Sequence, residues 1–85
     1  SSASGVQADK TCLEAFQSLK LGKKFKYIIY KLSDDQKNIV VEKQAERGTY
    51  DEFLSHLPET ECRWAVYDFD YSTPEGERNK IVFYT

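Results

Sequence analysis

Little in this 85-residue chain points to chemistry. The two cysteines, Cys12 and Cys62, stand far apart without metal-ligand spacing, and a single histidine, His56, could assist them. No G-x-G-x-x-G and no glycine loop able to cradle a phosphate is present. No apolar run approaches the roughly 20 residues of a membrane span, and the serine-rich start has no signal-peptide core. Twelve Lys and Arg against 14 Asp and Glu leave a net charge of −2, so no global field draws the chain to nucleic acid or an anionic membrane. With no secretory signal, both thiols are expected to be reduced, buried small hydrophobes of a cytosolic protein. Internal repeats and low-complexity tracts are also missing.

What is there is an ordinary globular composition, 40% apolar and 14% aromatic, enough for one small domain. The organising stretch is Cys62 to Tyr71, which carries the only tryptophan. Alternation puts Trp64 and Val66 on one strand face and Arg63, Ala65, Tyr67 and Phe69 on the other. Both faces are largely apolar up to Asp68, so this strand needs cover above and below. Asp68 and Asp70 are expected to mark its exit into solvent. The pattern predicts a layered α+β domain.

Residues 1–7 read as a flexible arm. A first helix is predicted from about Asp9 to Lys20, capped by Asp9 or by a Thr11–Glu14 box, with Cys12, Ala15, Phe16 and Leu19 on one face and Gly22 as a left-handed stop. Phe25–Leu32 and Ile39–Lys43 read as a hairpin across the turn residues 33–38, the second strand nearer the sheet edge. Thr49 and Glu52 form another capping-box pattern, ahead of a short helix with Tyr50, Phe53, Leu54 and Leu57 inward and Pro58 closing it. Residues 72–79 read as a loop and Lys80–Thr85 as a fourth strand. Two short helices cannot shield both faces of such strands, so further cover is expected from residues not given or from another chain. The expected buried set is Phe16, Ile28, Tyr30, Phe53, Leu54, Trp64, Val66, Tyr67 and Phe69, with Phe83 also assigned to the core.

Candidate sites are few. His56 falls off its helix's apolar face and reads as solvated. Asp68 and Asp70 share a strand face and could form an acid/base pair, although aspartates at a strand end are ordinarily just solvated. Lys20, Lys23, Lys24 and Lys26 surround Gly22; they read either as a soluble turn or as a basic patch for an acidic protein or a phosphoinositide head group. Arg78 and Lys80 pose the same choice.

Five segments, in order, carry a family resemblance. They are Ser4-Gly5-Val6, Leu19-Lys20-Leu21-Gly22-Lys23-Lys24, Tyr50-Asp51-x-Phe53-Leu54-x-x-Leu57-Pro58, Tyr67-Asp68-Phe69 and Asn79-Lys80-Ile81-Val82-Phe83. Over its whole length the chain resembles the N-terminal part of the cofilin/actin-depolymerising factor family, most of all its fungal members. The resemblance implies a mixed β-sheet flanked by helices, cut short after the fourth strand where a family member continues with a long actin-binding helix, a further strand and a C-terminal helix. It implies binding of actin monomers and filaments, filament severing and depolymerisation, no enzymatic activity, no cofactor and no metal. It places the protein on the actin cytoskeleton of the cytoplasm, with the nucleus as a second location. Gly5 and Val6 match the arm that lies on actin, and Ser4 matches a serine whose phosphorylation blocks binding. Arg78 and Lys80 match a basic pair that touches a second actin subunit. The alternative is a fragment or short isoform without actin activity of its own, self-associating through the exposed edge of its fourth strand.

Overall fold

A computed structural model describes residues 5–85. Five strands form one mixed sheet in the order β1-β3-β2-β4-β5, with β1 Gln7–Ala8, β2 Tyr27–Leu32, β3 Asn38–Ala45, β4 Trp64–Thr73 and β5 Gly76–Tyr84. Among the described residues only the β1–β3 pairing is parallel. Helix α1 (Lys10–Lys20) covers one face across β3, β2 and β4, and α2 (Tyr50–Ser55) covers the other. Of the arm expected over residues 1–7, residues 1–4 lie outside the described residues, and its end is strand at Gln7, tied down where Gln7 N–H donates to the Lys37 carbonyl at 3.2 Å. The described residues form five strands where four were expected, because a two-residue strand leaves no periodic signal.

The two-sided apolar strands split the core as their alternation demands. Cys12, Ala15 and Leu19 of α1 close over Ile28, Tyr30 and Val66. Phe53 of α2 closes over Tyr27, Ile29, Ala65 and Tyr67. Phe53 is fully buried, a contribution of about 1.5–3 kcal/mol.

Five expected core residues lie nearer the surface. Leu54 is 42% exposed; on a helical wheel it lies about 100° from Phe53, whereas Tyr50 and Leu57 fall within about 60°. Phe16 and Phe69 are half-buried, and so is Trp64, at the very start of β4. Phe83 is 65% exposed although its ring lies 5.7 Å from that of Phe16, because α1 stops short of β5. Both cysteines are free, and Cys62 is exposed, since it precedes β4 and lies outside the sheet.

Local signals resolve in detail. The Asp9 side chain, not Thr11, caps α1, accepting from Thr11 N–H at 3.3 Å. The Thr49–Glu52 capping box forms in both directions, at 3.1 and 3.2 Å. Helix α2 ends at Ser55, ahead of Pro58, with His56 as its C-cap. After α1 it is Lys23, at φ 51°, that takes the left-handed conformation, not Gly22. Ile29 pairs with Lys43 and Tyr30 with Val41, which leaves Glu42 as a bulge in β3. Glu42 there meets a guanidinium: Arg63 binds it through two nitrogens, at 2.8 and 3.2 Å, and holds its carboxyl below the usual range.

Candidate functional site

The expected loop over residues 72–79 is a hairpin. Strand β4 runs on to Thr73, turns at Pro74-Glu75 and returns as β5 from Gly76, so Arg78 and Lys80 sit on a strand. Pairing with β2 ends at Tyr27↔Tyr67, and the Lys26 carbonyl accepts the next bond from Asp68 N–H at 2.9 Å. Beyond that point β4 and β5 leave the sheet as a two-stranded ribbon.

Alternation divides the ribbon by chemistry. Its α1-side face carries Asp68, Asp70, Ser72, Glu77 and Asn79; the opposite face carries Phe69, Tyr71, Arg78 and Lys80. Asp68 does not open into solvent, for it is only 3% exposed. Asn79 Nδ2 donates to Asp68 Oδ1 at 2.8 Å, and Lys23 Nζ stands 3.5 Å from its other oxygen. Asp70 accepts from Lys26 and Lys23, both at 3.1 Å. These bonds hold its carboxyl below the ordinary value, Lys26 contributing most, and the bond to Asp70 raises the Lys23 ammonium. Both aspartates are thus tied to cations of the turn between α1 and β2. Lys23, in the left-handed conformation, reaches both of the ribbon's aspartates.

The four-lysine cluster is accordingly divided. Lys23 and Lys26 are ion-paired, while Lys24 Nζ stands 5.6 Å from the Phe25 ring centroid and Lys20 Nζ 6.0 Å from that of Phe16. Arg78 donates only to the Glu77 carbonyl, at 2.9 Å, and Lys80 has no ion pair among the described residues. Gly5 is exposed at φ 80° and Val6 is half-buried; Ser4 lies outside the described residues. Gly5 and Val6 lead into β1 at one edge of the sheet, whereas Arg78 and Lys80 lie on β5 at the other. The expected actin-contacting residues are not one cluster but two. His56 packs its ring 6.4 Å from that of Tyr27.

Sequence reading missed the bonds that anchor the ribbon, as well as Tyr71. The usable signal was the alternation continuing past Asp68, with Phe69 and Tyr71 on one face and acids on the other.

Residues 5–85 match the cofilin/tropomyosin-type actin-binding protein family, and the chain belongs to that family. Among its relatives, the cofilin of Cryptococcus neoformans var. neoformans serotype D is 54% identical over 83 residues, covering 95% of this chain and 60% of that protein. Schizosaccharomyces pombe cofilin is 51% identical over 82 residues, covering 96% and 60% respectively. A crystal structure of Streptomyces griseoflavus cofilin superposes with a TM-score of 0.83 at 52% identity, over 93% of this chain and 58% of that one. Plasmodium berghei actin depolymerization factor 2 follows the same fold, with a TM-score of 0.80 at 33% identity over 93% of this chain and 60% of its own. The chain therefore spans about 60% of the length of the curated relatives it matches.

Proposed function

We propose that this chain is an actin-binding module acting by contact, with the arm at Ser4, Gly5 and Val6 on one actin subunit and Arg78 and Lys80 on its neighbour along a filament. The observation that carries this reading is the strand order, with the arm at the β1 edge and the basic pair at the β5 edge. Four strand spacings of about 4.8 Å separate the two edges, roughly 19 Å in all, a distance suited to bridging two large subunits. A module of this kind promotes severing and depolymerisation by binding one twist of the filament more tightly than another. It acts in the cytoplasm. A phosphoryl group on Ser4 adds roughly −1.5 to −2 charge to the arm and repels an acidic partner. Phosphoinositide head groups would find Lys20 and Lys24 available, but Lys23 and Lys26 only at the cost of releasing Asp70.

A second reading rests on the exposed β5 edge and the outward ring of Phe83. In that reading the 85-residue chain has no actin activity of its own and associates with itself through this edge.

Cosedimentation with filaments, set beside monomer binding, tests the first reading on the intact native protein. Arg78→Ala with Lys80→Ala should weaken filament binding about tenfold, an effect that shrinks with added salt, and leave monomer binding nearly intact. Equal losses for both forms would reject the assignment. Ser4→Glu should weaken binding to both while Ser4→Ala does not; unchanged affinity for the Glu variant counts against the arm.

A further inference from the structure

Of the six tyrosines, five are packed into the molecule. Tyr27, Tyr50, Tyr67 and Tyr84 lie in the aromatic cluster under α2, and Tyr30 is buried with its hydroxyl directed at the Cys12 carbonyl. Tyr71 is 48% exposed, and among the described residues it makes no ring contact and no side-chain hydrogen bond. It stands directly opposite Arg78 on the ribbon, and Lys80 is the next cation along the same face, opposite Phe69. The ring series Tyr67, Phe69 and Tyr71 runs out along β4. Its first two members are 4.6 Å apart and covered by Tyr50, whereas the third projects past the helix.

We propose that Tyr71 is the apolar anchor of the surface formed with Arg78 and Lys80, and that its occupant is an acidic face of an actin subunit with a depression that accepts the ring. This deepens the filament reading of Arg78 and Lys80 and rests on it. The choice of occupant follows from charge. The acids of the ribbon's two strands lie on its other face, where Lys23, Lys26, Asn79 and Ser72 engage Asp68, Asp70 and Glu77. The Tyr71 face therefore presents positive charge that no carboxylate of the described residues answers. Tyrosine and arginine are the side chains that most often dominate a protein interface, since a rigid ring gives a large contact area at little entropic cost. The bonds at Asp68 and Asp70 hold the ribbon in one position before contact, which lowers the ordering cost of binding.

The test uses the intact native protein in filament cosedimentation and monomer binding, at low and high salt. Tyr71→Thr keeps a strand-favouring residue, and thermal melting verifies that the variant is folded; Tyr71→Phe separates the ring from the hydroxyl. Tyr71→Thr should weaken filament binding about tenfold, Tyr71→Phe less than about threefold, and monomer binding should not change. The Tyr71→Thr loss should persist at high salt, whereas the loss from Arg78→Ala with Lys80→Ala should shrink there. If the double variant weakens binding and a folded Tyr71→Thr does not, the anchor is wrong while the basic pair stands. If the double variant binds normally, the filament reading falls, and the anchor with it. Equal loss on monomer and filament would also overturn the anchor.

Discussion

Gly48 has no side chain because the Tyr27 ring occupies its place. A Cβ there would stand 2.9 Å from Tyr27 Cε2, and φ is 150°, a conformation other residues rarely adopt. The Gly48 carbonyl accepts from the Tyr67 hydroxyl at 3.1 Å, so this one residue stops the loop before α2 against two core rings. Gly48→Ala should destabilise by about 1–3 kcal/mol, since neither the ring nor the backbone can give way freely. In a domain this small that is a fall of several degrees in melting temperature. An unchanged melt would mean that the Tyr27 ring is free to move. Alkaline titration offers a second measure of the same core. Burial pushes the Tyr30 phenol up to about 12. Because its folded value lies above the unfolded value of about 10, its contribution is whole below pH 10 and lost as pH rises through 12. Tyrosinate absorbance should show the last phenol ionising only with unfolding; early and complete ionisation of all six in the folded protein would contradict that burial.

At the scale of elements, the ribbon depends on its anchoring carboxylates. Asp70 has a lowered value in the fold, so its contribution is present above the unfolded carboxylate range near 3.9 and is lost as pH falls through the folded value. Lys23 is raised, so its share is present below about 10.4 and lost as pH rises through its folded value. The melting temperature of the native protein should exceed that of Asp70→Asn at pH 6, and the gap should close as pH falls through the folded value. A gap that does not narrow as pH falls below the unfolded carboxylate range would show that Asp70 acts by packing, not by charge. These elements also mark how far sequence reading reaches. Thr49 with Glu52, Phe53 in α2 and the two-sided apolar runs of β2 and β4 were legible, because capping and burial leave local signals. The ribbon was not. Two strands standing free of the sheet bury neither face fully, so past Asp68 the alternation is carried on one face alone, by Phe69 and Tyr71. Asp68 carried the opposite signal: an aspartate at a strand end suggests solvent, and only the register reveals Asn79 beside it. Lys23 takes the left-handed position in place of Gly22, and its side chain pairs with Asp68 and Asp70, a long-range contact that local sequence preference does not register. Within the candidate site, Arg78 and Lys80 were legible as cations, while their separation from Gly5 and Val6 depends on β1 pairing with β3, a contact between distant residues.

The whole molecule is two layers of helix on a single sheet, 47 Å in its longest extent. Its cover is uneven. Strand β5 has no neighbour on its outer side among the described residues, and Phe83, Leu13 and Leu21 expose apolar surface. The 85-residue chain in isolation should therefore self-associate with rising concentration. Light scattering should detect this, and a strictly monomeric chain at high concentration would overturn it. The two edges of the sheet differ in another respect, which is time. Strand β1 is two residues long and holds on through the amides of Gln7 and Asp9, whereas β2 is paired along both sides at the centre. Edge bonds this few open locally at little free energy, but those of β2 break only when the sheet does. Amide exchange at Gln7 and Asp9 should be fast, and at Ile28 and Ile29 as slow as global unfolding. The arm's edge thus opens and recloses many times within the lifetime of one folded core. A partner that takes hold of the arm meets a segment already sampling release, whereas a partner at β5 meets an edge strand paired with β4 along all nine of its residues.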